Sequence, residues 1–309
     1  MRIKAPKAIY EYIKLSKLRV VELLLVTTVP SMIISIYGMP PISLIILTLF
    51  GGTCLAVSAN VLNQVFEIEK DLLMTRTSNR PLVLGTITKT SAVYYSVSLG
   101  IIGFFVLYEY ANMLAAVIAL IANLYYVFIY TLYLKSRTKQ NIVIGGAAGA
   151  APTLIGWAAT TGTLDLGAWV LFGIVFMWTP AHFWALSILH KDDYANAKFP
   201  MLPNTASESE TIKYIATYSC STLLMSLLAA PILQLGLLYL FTAIALGVHL
   251  MINVLHLYQG KRTPGSFFAL SNTYLALLFL GIVIDLSLIH ISEPTRRYAI
   301  SYGGFCLKK

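Results

Sequence analysis

The sequence predicts an all-α polytopic membrane protein, a bundle of about nine transmembrane helices. Three observations predict it. Of the 309 residues, 58% are hydrophobic and only 11% are charged, against about 25% charged in a soluble domain. The apolar residues fall in long continuous runs, not in short alternating strands, which sets a transmembrane barrel aside. Lysine and arginine occur in alternate connections between those runs, the pattern of a positive cytoplasmic side. Backbone polar groups at bilayer depth must be bonded within their own segment, so the runs are helices.

The expected spans are 20–37, 41–63, 90–108, 112–133, 141–160, 167–189, 212–230, 234–256 and 266–285. The first strongly apolar run begins near Val20 and is long enough to cross, so no cleavable signal is expected. Arg2, Lys4, Lys7, Lys14, Lys17 and Arg19 precede it. The second–third connection carries Lys70, Arg76, Arg80 and Lys89, and the fourth–fifth carries Lys135, Arg137 and Lys139. The sixth–seventh has Lys191 and Lys198 with Lys213 at its edge, and the eighth–ninth has Lys261 and Arg262. The connections around Gly38, Glu109, Thr161 and Gln234 have none. The N-terminus and the basic connections are therefore expected on the cytoplasmic side. This distribution also turns the net charge of +9 away from nucleic acid. Cys54, Cys220 and Cys306 form no pair or framework.

Residues 1–285 are expected to form one integral bundle without a separate soluble domain. The segment LSLIHISEPTR, residues 286–296, reads as the translation of a transposon-type sequencing adapter. Its basic residues would lie on the wrong side of the membrane. The expectation is a native frame ending close to Asp285, with 286–309 a non-native tail left out of fold reasoning.

The most informative stretch is NQVFEIEKDLLMTRTSNRPL, residues 63–82. Asn63, Glu67 and Asp71 are spaced i, i+4, i+8 at the end of an apolar segment. On one helix they fall within about 80° of each other, at about 100° per residue. Oxygens aligned this way suit a hard cation such as Mg²⁺, which is held by few protein ligands plus phosphates. Arg76 and Arg80 follow and can grip the same phosphates. A second cluster, HKDDYANAKFPMLP over 190–203, offers Asp192, Asp193, Lys191, Lys198 and Tyr194. Pro200 and Pro203 are expected to stop any helix there. A third, YTLYLKSRTKQN over 130–141, supplies Lys135, Arg137 and Lys139. Acids beside arginines in one loop are ordinarily solvated ion pairs, and lysines at helix ends ordinarily snorkel. Three such loops on one face, each beside an apolar span, describe a site for a Mg²⁺-bound polyanion with a lipophilic tail.

These residues carry a resemblance. The chain resembles the UbiA superfamily of intramembrane prenyltransferases. The superfamily motif N-x-x-x-D-x-x-x-D reads here as Asn63, Glu67 and Asp71, followed by M-x-R-T-x-N-R-P over 74–81. NIVIGGAAGAAP over 141–152, WTPAHFWAL over 178–186 and the D-Y-x-x-A-x-x-P-M-L-P run over 193–203 are similar to its haem-modifying branch. The resemblance covers about residues 10–285. Glu67 stands where aspartate is usual and Leu18 where proline is expected.

The resemblance implies transfer of a farnesyl group from farnesyl diphosphate to a vinyl group of haem B, giving haem O, in a bacterial cytoplasmic membrane. Asn63, Glu67 and Asp71 would hold one Mg²⁺. Asp192 or Asp193 would hold a second, with Asp193 favoured by the D-Y run. Arg76, Arg80, Lys135 and Lys191 would contact the diphosphate. His182 is the candidate haem contact, as an axial ligand or to a propionate. Gly145, Gly146 and Gly149 are expected to allow close helix packing. Further implied partners are the lipid bilayer, haem A synthase and cytochrome oxidase assembly proteins, with no nucleic acid. The alternative enzyme is a sister prenyltransferase with an aromatic acceptor such as a hydroxybenzoate or quinone precursor. A transporter would place its acids near the bilayer midplane, and a non-catalytic assembly factor would leave the acid clusters unexplained.

Overall fold

A computed structural model describes the backbone of residues 5–306 and the side chains of residues 8–18 and 26–288. Among the described residues every regular element is helical. A first helix, α1 (Ala5–Ser16), leads into α2 (Leu18–Ser35), α3 (Ile42–Phe66), a short α4 (Ile68–Leu72) and α5 (Lys89–Tyr110). Then come α6 (Met113–Leu124), which continues as a π-helix (Tyr125–Leu134), α7 (Asn141–Thr161) and α8 (Leu166–Leu189). Two short helices, α9 (Lys191–Asn196) and α10 (Leu202–Thr205), precede α11 (Glu208–Ile232), α12 (Leu237–Tyr258) and α13 (Pro264–Cys306).

The nine expected spans coincide with α2, α3, α5, α6 with its π extension, α7, α8, α11, α12 and α13. Among the described residues, eight are long and apolar enough to cross a membrane, the last over Pro264–Leu288. The ninth is α2, whose described apolar part is Val26–Ser35. The proposed tail lies outside the described side chains from residue 289 onward.

Packing in this bundle relies on small residues that let backbones approach. α3 and α5 meet at Gly51 and Gly103. A Cβ on Gly103 would stand 2.6 Å from the Gly51 carbonyl oxygen, and one on Gly51 would stand 2.8 Å from Leu107. Ser96 Oγ donates to the Ser58 carbonyl at 2.9 Å along the same seam. α2 crosses α7 where a Gly156 Cβ would lie 2.5 Å from the Thr28 carbonyl oxygen. α1 lies against the polar end of α3 and α5. Gln64 Nε2 donates to the Leu15 carbonyl at 2.7 Å, Ser16 Oγ meets the Tyr95 hydroxyl at 3.0 Å, and Thr86 Oγ1 donates to buried Glu11 at 3.1 Å.

Two expectations are corrected. Asn63, Glu67 and Asp71 do not share one uninterrupted helix: α3 ends at Phe66 and α4 restarts at Ile68. The amides of Glu67 and Asp71 still bond back to the carbonyls of Asn63 and Glu67 at 3.1 and 2.7 Å, so the residues stay on one side of a bent rod. Pro203 does not stop a helix either. It sits in the first turn of α10, where its missing N–H would be unpaired anyway, and α9 ends at Asn196, before Pro200.

At the opposite end, Asp285 near the end of the last span is buried and accepts from the amides of Gly236 and Tyr239. It fastens α13 to the start of α12, whose first amides have no partner within their own helix. Asp285→Ala leaves the buried Tyr239 amide and the half-buried Gly236 amide unsatisfied, at about 1–3 kcal/mol for a buried group. The thermal midpoint of the detergent-solubilised variant should fall by several degrees; an unchanged midpoint would remove this role.

Candidate active site

The bend between α3 and α4 buries three polar side chains at the lip of the bundle. Asn63, Glu67 and Asp71 are 3%, 5% and 1% exposed. Carboxylates this dry must be paired. Glu67 Oε2 accepts from Lys135 Nζ at 2.6 Å, and Asp71 Oδ2 pairs with the Arg80 guanidinium. The other oxygen of each acid, Glu67 Oε1 and Asp71 Oδ1, is buried and has no partner among the described residues. Asn63 Nδ2 donates to Thr131 Oγ1 at 3.2 Å, and its Oδ1 accepts a long bond from Lys17 Nζ at 3.5 Å.

Lys135 reaches Glu67 because the helix below it is wound wide. The Lys135 amide bonds back five residues to the Tyr130 carbonyl at 2.9 Å, and Thr131 Oγ1 donates to the Tyr126 carbonyl at 2.9 Å. This register stacks Tyr126, Tyr130 and Lys135 on one face. The two rings lie 5.2 Å apart, and the ammonium sits 5.9 Å from the Tyr130 ring. An α-helix was expected over this span; the π turn is a recurrent mark of functional segments.

Two further cations were read from sequence only as topological charges. Lys17 stands between α1 and α2 at φ +50°. Burial, then repulsion from Arg80, pulls its ammonium pKa well below the ordinary value, against the attraction of Asp71 and Glu67. Lys70 Nζ donates to the Ala197 carbonyl at 2.9 Å and lies 4.7 Å over the Phe199 ring. Lys135 covers the same ring, also at 4.7 Å. Lys70 sits inside the acid motif, so its spacing was the available signal. Phe199 offered none, because its place between two ammoniums depends on the fold of 190–203.

The structure brings the first and second acid clusters together. Asp193 Oδ1 accepts from the Thr75 amide at 2.8 Å and Oδ2 from the Arg76 amide at 3.3 Å. Burial raises its pKa, but those amides outweigh it and hold the carboxyl below the ordinary value. Asp193 thus ties down the loop that carries Arg76 and Arg80. Arg76, Lys191 and Asp192 are exposed.

Directly below lies an apolar cavity of about 340 Å³. Asn60, one turn from Asn63, lines it together with Tyr126 and Tyr130 from the π-helix, and Trp178 and His182 from α8. Gly145 lets the Tyr130 ring lie on α7, since a Cβ there would be 2.3 Å from it. Gly146 likewise meets Thr179 at 3.2 Å, but a Cβ on Gly149 would meet nothing within 4 Å. The packing role expected of Gly149 is therefore corrected. The His182 ring is stacked between Trp178 and Phe268, each centroid 4.2 Å away. Its Nδ1 is 2.7 Å from Ser271 Oγ, which donates to the Phe268 carbonyl at 2.7 Å.

Among the described residues no three acid, histidine or cysteine side chains converge. Mg²⁺ does not require that, because it keeps waters and binds one or two carboxylates plus phosphates. The unpartnered oxygens of Glu67 and Asp71, beside the Asn63 amide, fit it. Arg80, Lys135, Lys17 and Lys70 supply the positive surround that a diphosphate needs.

Apolar helices around a largely apolar cavity, with a polar site at one end, define an intramembrane transferase of lipophilic groups. The sequence model of the UbiA prenyltransferase family matches residues 24–283, and the chain belongs to that family. Among curated relatives it is 46% identical over 279 residues to protoheme IX farnesyltransferase 1 of Saccharopolyspora erythraea, covering 89% of each chain. It is 42% identical over 298 residues to protoheme IX farnesyltransferase of Cutibacterium acnes, covering 94% of this chain and 88% of the other. Among solved structures, a digeranylgeranylglyceryl phosphate synthase has the same fold, with a TM-score of 0.74 at 18% identity over 91% of this chain and 99% of the other. A UbiA homolog from Archaeoglobus fulgidus bound to GPP and Mg²⁺ gives 0.61 at 13% identity, over 90% and 99%.

The pairing of Asp193 with the 75–76 amides is testable directly. Asp193→Ala should speed hydrogen exchange at Thr75 and Arg76, and Asp192→Ala should not. In the unaltered protein the protection should persist as pH falls to the usual aspartate value of 3.8 and fade only below it, because the folded carboxyl titrates lower. Equal exchange in both variants would discard the assignment.

Proposed function

We propose that this chain transfers a farnesyl group from farnesyl diphosphate to a vinyl group of haem B, diphosphate leaving and water adding to the resulting cation with loss of a proton, to give haem O. Its relatives named protoheme IX farnesyltransferase, one of them 46% identical, support the substrate pair. The observation that carries the reading is a juxtaposition. Two buried carboxylates, each with one paired oxygen and one that has no partner among the described residues, follow the Asn60–Asn63 turn at the end of an apolar cavity of about 340 Å³.

Asn63, Glu67 and Asp71 would hold one Mg²⁺. Asp193, which keeps a lone pair on each oxygen beyond its amide bonds, would hold a second with Asp192. The bound metal supplies charge neutralisation to the leaving diphosphate. The A. fulgidus homolog, bound to GPP and Mg²⁺, supports that pairing of ligands. Arg80 and Lys135 grip the diphosphate as they let go of the acids, and Arg76, Lys17, Lys70 and Lys191 border it. Breaking the allylic C–O bond sends negative charge onto the diphosphate, where these cations oppose it. The cavity keeps water from the allylic cation, and the Tyr126 and Tyr130 rings face that cation as it forms.

His182 gives the acceptor its contact. His182 lines the cavity, and an imidazole nitrogen there is suited to ligate haem iron. This favours haem over a hydroxybenzoate or quinone precursor, neither of which carries a metal. The alternation of lysine and arginine in the connections supports a site on the cytoplasmic side, and relatives from bacteria support a bacterial inner membrane.

Membranes carrying the protein, given haem B and farnesyl diphosphate, should yield the heavier hydroxylated porphyrin by mass spectrometry. A chelator should abolish it and Mg²⁺ restore it. Asp71→Asn should lower turnover by roughly a hundredfold or more, as for loss of one charge-stabilising contact; normal product would remove the diphosphate assignment. His182→Ala should lose the histidine-ligated Soret band of added haem B while farnesyl diphosphate still binds. A band that survives would move the haem contact elsewhere.

A further inference from the structure

We infer that Gly52 and Gly149 set the length of prenyl chain the cavity admits, an inference that rests on the cavity being the farnesyl site. Both residues line it. Among the described residues, they are the two glycines inside the spanning helices at which an added Cβ would meet nothing within 4 Å. Gly51, Gly103, Gly145 and Gly156 each admit a neighbour that a Cβ would strike at 3.0 Å or less. Gly52 and Gly149 admit none. Neither has a positive φ, so the backbone does not require glycine either. Glycine inside a helix costs about 0.5–1 kcal/mol relative to alanine. The return for that cost is the open volume itself.

Their depth says what the volume is for. Gly52 lies eleven residues below Asn63, about 16 Å at about 1.5 Å per residue. Gly149 lies eight residues inside the start of α7, about 12 Å by the same rise. The cavity continues past them to Thr48, Thr28 and Ile155. A side chain at either position would cross it partway, between the diphosphate end and the inner end. A shorter prenyl tail would still fit above the obstruction, and a farnesyl tail would not.

The test uses the purified full chain with haem B and either geranyl or farnesyl diphosphate. In Gly52→Leu and in Gly149→Leu, the kcat/KM ratio of farnesyl to geranyl should fall by about tenfold or more, as expected for a group lost from an apolar pocket. The alanine variants should fall between these and the unaltered protein. Phe50→Leu, on the exposed side of α3, should leave the ratio unchanged. An unchanged ratio at both glycines, or equal loss on both substrates, overturns the inference. Should the leucine variants fail to accumulate, the alanine pair decides it by the same ratio. Binding of the unreactive geranyl and farnesyl thiodiphosphates needs no acceptor. A chain-length shift there without any haem product would sink the acceptor assignment and uphold the glycines.

Discussion

The site depends on two buried ion pairs, Glu67 with Lys135 and Asp71 with Arg80. Moving a carboxylate out of water costs several kcal/mol, which a close partner offsets only in part. Each acid here is half offset, because one of its oxygens remains unbonded. On the proposed reading, that remaining deficit is the driving force for taking up a divalent cation, and the cation brings the diphosphate with it. The lysine and arginine then exchange a carboxylate for a phosphate without leaving the site. Removing one member of either pair would strand the other, a change worth about 3–5 kcal/mol for a buried pair, so binding and stability are coupled here.

The charges are held where they are by the chain around them. Asp193 clasps the Thr75 and Arg76 amides, and Lys70 reaches the Ala197 carbonyl. The two polar loops are thereby tied by polar contacts in both directions. Phe199 fills the space between Lys70 and Lys135, 4.7 Å from each, and its ring face is attractive to both. It adds to the hold that the Glu67 carboxylate has on Lys135 and the Ala197 carbonyl has on Lys70.

The spans were legible because hydropathy is an average over many residues, and the charge alternation tested their number independently. Asn63, Glu67 and Asp71 were legible as a set because the i, i+4 spacing survives a bend. The bend itself was not, since nothing local in FEIEK forbids a continuous helix; the pairing of Glu67 with Lys135 across the bundle accompanies it. The π register over Tyr125–Leu134 was hidden for the same reason. It changes which faces Tyr130 and Lys135 share, yet leaves composition untouched. Lys17 and Lys70 were visible only as charges in a topology argument, which is blind to where a side chain points. Asp193 was found by motif, but its bonds to Thr75 and Arg76 depend on how the two loops fold against each other.

Tyr130 marks the border between the charged and apolar halves of the site. Its ring lines the cavity and lies on α7 because Gly145 has no side chain. The wide turn above it delivers Lys135 to Glu67. An aromatic ring tolerates both sides of such a border, offering a π face to a cation and apolar area to a hydrocarbon. On the proposed reading the prenyl carbon that becomes cationic sits at this boundary, because its leaving group needs the ammoniums and its tail needs the cavity. The glycine at 145 and the five-residue register below Lys135 therefore serve one requirement: to bring charge and dryness within one helical turn of each other while keeping them apart.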